Sequence, residues 1–167
     1  MVEMVRPDGP EEQQDLIHRA AQTLSEGRLI GLPTESSYVL AGLANSDQSI
    51  ANLDKYSPGT ATLLSRSVEE AFDFFPHLSR IGKKLARRCW PGPVILASDA
   101  AATSGGLVDS LSPQTRALLG EDRVNVTVSS DSLVTEVGRI LPAPLIAVVP
   151  ASPAIKASDM RKICSLI

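Results

Sequence analysis

One stretch limits the possible folds more than any other: Arg28 to Gly42, which reads RLIGLPTESSYVLAG. Leu29 to Leu32 has the apolar character of a short buried strand. Pro33 ends it, because proline has no amide hydrogen to offer a sheet ladder. Thr34, Glu35, Ser36, Ser37 and Tyr38 then crowd five polar or amphipathic side chains into one turn. In open α/β sheets, the carboxyl end of a strand is where ligands tend to sit. The same residues also suit a capped strand-to-helix turn, so the stretch alone leaves a binding site and a structural turn both open.

The flanking segments have to supply the core around this strand. Asp15 to Glu26 carries Leu16, Ile17, Ala20, Ala21 and Leu24 at helical spacing, with Pro10, Glu11 and Glu12 marking the start of the helix and Gly27 just past its end. Ser46 or Asp47 caps a helix to about Lys55, which Tyr56-Ser57-Pro58-Gly59 breaks, and Thr60 to Leu64 reads as a strand. Ser67 with Glu70 forms a capping box for a short helix to Phe75. Leu78 to Cys89 predicts a further helix with Ile81, Leu85 and Ala86 as candidates to face inward and Arg80, Lys83, Lys84, Arg87 and Arg88 on its other side. Trp90-Pro91-Gly92-Pro93 is a rigid corner into a strand over Val94 to Ala97, and Trp90 is expected to anchor the core. The small, polar segment Ser98 to Ser110 reads as a mobile loop.

Ser112-Pro113 opens a helix that Gly120 closes, and Val124 to Val128 alternates as a half-buried strand. Ser130 or Asp131 caps a helix to about Leu141, Leu145 to Val149 is an apolar strand, and Ser158 or Asp159 starts a last helix. Interleaved helices and strands predict an α/β domain, a mixed twisted sheet flanked by helices with a concave pocket. All 167 residues fit one domain, and the helix running off the end suggests a piece excised from a longer protein.

Several classes of function lack support. Net charge is −3, which argues against wholesale coating of nucleic acid while leaving a local basic face such as Lys84, Arg87 and Arg88 open to RNA. Cys89 and Cys164 lie far apart with no ligand-spaced histidines, so a metal centre is not indicated and a reducing, cytoplasmic setting is expected. No run is long and apolar enough for a membrane span, and the first residues are too acidic for a signal peptide. P-loop, G-x-S-x-G and H-E-x-x-H patterns do not occur.

Three segments together resemble the YrdC/Sua5 family. Leu32 to Leu40 (LPTESSYVL) is similar to its PTETVYGL, Cys89 to Leu96 (CWPGPVIL) to its fWPGPlTl, and Pro144 to Ala147 to its PLiaTSAN strand. The resemblance implies a YrdC/RibB-like fold. It also implies a tRNA-modification activity that joins L-threonine, bicarbonate and ATP into threonylcarbamoyl-adenylate. ATP with magnesium, L-threonine and RNA are the ligands and partners it suggests; the residues by themselves imply no cofactor and do not reveal the oligomeric state. By match to the family's motifs, Thr34, Tyr38 and Lys55 are the expected substrate- or nucleotide-binding residues, converging on the concave face.

The chain departs from the family where phosphate chemistry is done. The arginine of the family's KxR pair falls on Ser57, that of its vRvP strand on Thr127, and its SxN pair on Val149 and Ala151. Removing one preorganised transition-state donor costs roughly a hundred- to a thousand-fold in rate. The expectation is therefore a family domain that binds a nucleotide, a small anion or RNA with synthase activity weak or lost. An active synthase with a rebuilt site and a purely structural domain are the alternatives.

Overall fold

The expected apolar stripe of Leu16, Ile17, Ala20, Ala21 and Leu24 is the buried side of helix α1, Pro10–Ser25, which starts at the expected Pro10 with Glu11 and Glu12 in its first turn. Gly27 follows at φ +75°, where a side chain would also meet Ser46 Oγ at 3.0 Å. This computed structural model describes residues 9–56, 61–120 and 122–149. The expectations for Ser57, Pro58, Gly59 and Thr60, for Ala151 and for the helix from Ser158 lie outside them. Among the described residues, no helix is long and apolar enough to cross a membrane.

Pro33 does end the first strand, but a helix does not follow. β1, Ile30–Pro33, turns back into β2, Tyr38–Leu43, as an antiparallel hairpin with Ile30 opposite Ala41 and Pro33 opposite Tyr38. β2 is apolar on both faces, so it lacks the alternation that marks a half-buried strand in sequence. Gly42 sits where β2 passes under helix α2, Asp47–Asp54; an added Cβ would lie 2.9 Å from Ser49 Cβ and 3.0 Å from Leu29 Cδ2. Both observations explain why the strand is hard to read locally.

The remaining strands are β3 (Thr62–Leu64), β4 (Leu96–Asp99), β5 (Arg123–Thr127) and β6 (Leu145–Val148). They complete a mixed six-stranded sheet in the order β1-β2-β6-β3-β5-β4, in which β3 and β5 run parallel and the other pairs antiparallel. Pro33 lies in an edge strand, where a missing amide costs no ladder bond inward.

Period-two alternation sorts the sheet residues into two cores. Leu40, Leu63, Val126 and Ile146 face a layer that includes α2, helix α3 (Val68–Phe74), helix α5 (Pro113–Leu119) and the buried Trp90. Ala41, Leu64 and Ala147 face α1 and helix α6, Ser132–Ile140. The predicted caps hold these helices in place: Ser46, Ser67, Ser112 and Asp131 each accept a backbone N–H from their first turns. Glu70 does not close the capping box onto Ser67. Its carboxylate instead accepts from Ser65 Oγ (2.9 Å), Arg66 N (2.7 Å) and the Arg66 guanidinium.

Two expectations are corrected. Helix α4, Arg80–Cys89, buries Ala86, while Ile81 is 80% and Leu85 49% exposed. Spacing at i and i+4 identifies a helix face but not what covers it, and α4 lies along α3 with Arg87 over the Phe72 ring at 5.2 Å. Ser98 to Ser110 is built rather than loose: β4 runs into two 3-10 turns, Ala100–Ala102 and Leu107–Ser110, and Thr103 and Val108 are buried. Asp109 fixes this segment by accepting from Gly105 N at 2.7 Å.

Candidate functional site

α1 and α6 leave part of their sheet face uncovered, and a cavity of about 80 Å³ lies there. Its floor is made by the strand residues Val39, Thr62, Leu64 and Ala147, with Thr127 alongside. The hairpin turn from Thr34 to Ser37 forms one wall; Pro93, Ile95 and Ser129 form another. The cavity therefore borders the hydroxyl-rich turn, on the side of the sheet that period-two alternation assigns to Val39 rather than Tyr38.

The turn is tightly built. Thr34 N donates to Ser37 O at 2.9 Å, Thr34 Oγ1 donates to the same carbonyl at 2.7 Å, and Ser37 N donates back to Thr34 Oγ1 at 3.3 Å. Glu35 then reaches across the concave face. Its Oε1 accepts from Ser129 Oγ at 3.1 Å, from Ser130 Oγ at 2.7 Å and from Ser130 N. Partial burial pushes the Glu35 pKa up, but the hydrogen bonds from Ser130, from its own backbone amide and from Ser129 outweigh it and hold the carboxyl below its ordinary value.

The Trp90-Pro91-Gly92-Pro93 corner forms the far wall. Trp90 Nε1 and Thr127 Oγ1 both donate to Val94 O, at 2.7 and 2.9 Å, and Gly92 N donates to Val128 O at 2.9 Å. Thr127 stands where the family resemblance places an arginine, and its hydroxyl is engaged in holding this corner.

Of the three expected binding residues, Thr34 lines the cavity. Tyr38 opens β2 on the face of Leu40, 43% exposed, and is not among the lining residues. Lys55 is the C-cap of α2, a helix packed on the opposite face of the sheet, and its Nζ donates to Asn52 Oδ1 at 3.0 Å. The expected convergence of the three is thus not the arrangement found. Strand alternation turns Tyr38 away, and α2 carries Lys55 into the other layer. Lys84, Arg87 and Arg88 are exposed on α4.

Sequence reasoning missed the partners of Glu35, because Ser129 and Ser130 follow it by more than ninety residues. The only local sign was a serine pair directly after a strand. Charge in the lining is equally informative: among the described lining residues Glu35 is ionisable and no lysine, arginine or histidine occurs. Among the described residues, no group of three His, Cys, Asp or Glu side chains is placed to hold a metal. One carboxylate already engaged by Ser129 and Ser130, with no lysine, arginine or histidine beside it among the described lining residues, does not by itself fit a magnesium triphosphate.

Comparison with known proteins agrees with this architecture. The Sua5–YciO–YrdC family model, described as telomere recombination, matches residues 22–148. Escherichia coli YciO superposes with a TM-score of 0.80 at 18% identity, covering 100% of this chain and 83% of that one. A doubly substituted Sua5 of P. abyssi gives 0.77 at 20% identity, covering 100% of this chain and 49% of that one. The P. abyssi Sua5 complexed with L-threonine gives 0.74 at 20% identity, with the same coverage of 100% and 49%. The chain thus spans about half the length of the Sua5 chains it matches. At these identities the likeness is one of fold. No curated protein matches the chain in sequence.

Proposed function

The chain belongs to the Sua5–YciO–YrdC family, whose model covers residues 22–148, and we propose that it keeps the family's small-molecule pocket while threonylcarbamoyl-adenylate synthesis is weak or lost. The ligand this reading favours is L-threonine or a molecule of similar size and polarity. Ser36 and Ser37 offer hydroxyls, those of Thr34 and Ser129 being already engaged in the walls; Glu35 offers an acceptor for an ammonium group, and Leu64 and Ala147 offer an apolar surface for a methyl group. A Sua5 of this fold is known in complex with L-threonine, which supports the choice.

The observation that carries the second half is the absence of any lysine or arginine among the described lining residues. Adenylate formation releases pyrophosphate, so negative charge builds up on phosphate oxygens as the bond to the leaving group breaks. Fixed cations and preorganised donors are what stabilise such charge. The cavity is also small, about 80 Å³, against roughly 300–1,000 Å³ for sites that enclose a drug-sized ligand.

RNA is a second reading, favoured by one observation: α4 exposes Lys84, Arg87 and Arg88 and contains no acidic residue. Calorimetric titration of the full chain with L-threonine and with ATP, separately and together, tests the main reading. L-threonine should bind and ATP should not add to it. Tight ATP binding, or rapid pyrophosphate release in the presence of bicarbonate and L-threonine, supports instead an active synthase with a rebuilt site. Binding of neither leaves a structural domain.

A further inference from the structure

The charge of the pocket carries a sharper statement about its ligand, one that rests on the pocket reading above. We propose that the pocket recognises an ammonium group through Glu35 and, among its described lining residues, offers no cation to a carboxylate or phosphate, so that its ligand class is the small amino alcohol. In L-threonine this is the amino-alcohol half, not the acid.

The polar groups of the described lining are hydroxyls and one carboxylate. Hydroxyls donate or accept and so discriminate little between a ligand alcohol, ammonium or acid. Glu35 discriminates, because an ionised carboxylate only accepts hydrogen bonds and carries negative charge. Ser129 and Ser130 place their three hydrogen bonds on one oxygen, Oε1. They thereby fix the carboxylate at the cavity wall, and the second oxygen, Oε2, takes none of the three. Its depressed pKa keeps it charged at neutral pH. An anionic ligand group in the same cavity meets that charge with no cation of the described lining to offset it. The position expected to hold an arginine is Thr127, whose hydroxyl is already given to Val94 O at 2.9 Å. Glu35 is itself solvent-exposed, so the preference is moderate: about fivefold, the upper range for an exposed ion pair.

Four compounds test this by NMR titration of the full chain: L-threonine, L-threoninol (ammonium without carboxylate), N-acetyl-L-threonine (carboxylate without ammonium) and inorganic phosphate. L-threoninol should bind at least as tightly as L-threonine, and the two anions about fivefold or more weaker than L-threoninol. Glu35→Gln should remove about fivefold of the L-threoninol affinity while leaving the binding of N-acetyl-L-threonine unchanged or stronger. Should that variant fail to fold, the ranking of the four compounds on the natural chain decides alone. If L-threonine and N-acetyl-L-threonine bind and L-threoninol does not, the ammonium inference is overturned while the small-ligand pocket stands. If none of the four shifts resonances of Thr34, Ser129 or Ala147, both fail.

Discussion

Ser130 donates its hydroxyl to Glu35 Oε1 at 2.7 Å, across 95 positions of sequence. Glu35 lies in the turn after the edge strand β1, and Ser130 lies after β5, with β2, β6 and β3 between those two strands in the sheet. One side chain thus bridges the concave face and closes an end of the cavity. No strand pairing joins these two segments, so the bridge gives the turn a contact that the sheet ladder does not.

Acid should loosen the protein through its engaged carboxylates. Burial pushes the Glu70 pKa up, but the hydrogen bonds from Arg66 and Ser65 outweigh it and hold Glu70 below its ordinary 4.5, as those from the serines do for Glu35. A carboxyl with a depressed folded pKa binds fewer protons folded than unfolded. Its contribution is fully present above pH 4.5 and is lost as pH falls through the folded value. Urea midpoints measured from pH 7 to about pH 3 should be flat for these groups and then fall. Glu70→Gln should flatten the acid limb; an unchanged limb would count against the assignment. At neutral pH, Glu70→Ala should cost about 1.5–3 kcal/mol, the range for hydrogen bonds to a charged group.

Gly42→Ala should destabilise the fold by about 1–3 kcal/mol, as overpacking a tight core does, because the new methyl meets Ser49 Cβ at 2.9 Å. Ser49 gives the opposite sign. Its buried hydroxyl has no hydrogen-bond partner among the described residues, so Ser49→Ala should be neutral or stabilise by up to about 1 kcal/mol. Chemical denaturation of both variants measures this, and a destabilised Ser49→Ala would reveal a partner for the hydroxyl.

Pyrophosphate release from ATP, L-threonine and bicarbonate should remain far below the order of 1 per second that marks ordinary enzymes, on the order of what their turnover requires. Lys55→Ala should leave L-threonine affinity unchanged, since Lys55 sits on α2 behind the sheet and hydrogen-bonds Asn52. Loss of binding in that variant would place the ligand elsewhere.

If α4 meets RNA, replacing Lys84, Arg87 and Arg88 with Ala should weaken single-stranded RNA binding. The slope of log affinity against log salt should also fall by about 0.7 for each phosphate that is no longer neutralised. Filter binding at several salt concentrations reads this directly. An unchanged slope excludes α4 as the RNA surface. Ile81 and Leu85, exposed beside these cations, should be altered in parallel as a control for apolar contact.

The helix N-caps were legible from the chain alone because each is completed within one helical turn, although Glu70 leaves its side of the capping box for Ser65 and Arg66. Ser46, Ser67, Ser112 and Asp131 are caps because their acceptors lie two or three residues from the amides they satisfy. The stripe of α1 and the apolar run of β6 likewise follow from spacing, and the Pro-Thr-Glu and Trp-Pro-Gly-Pro segments placed the chain in its family. Four other features depended on residues far along the chain. β2 is an inner strand, buried on both faces, because β6, about a hundred positions later, pairs with the edge that its hairpin with β1 leaves open, at Leu40 opposite Val148. Ile81 and Leu85 are exposed because no described element packs over them, which helical periodicity cannot reveal. Lys55 faces the wrong layer for the pocket because period-two alternation along β2 and β3 decides which side each helix covers. Glu35 becomes the charged group of the cavity only when Ser129 and Ser130 are brought to it by the sheet. Caps and stripes are decided by neighbours a few residues away, whereas faces, pairings and pocket charge are decided by which distant segments the folded sheet brings into contact.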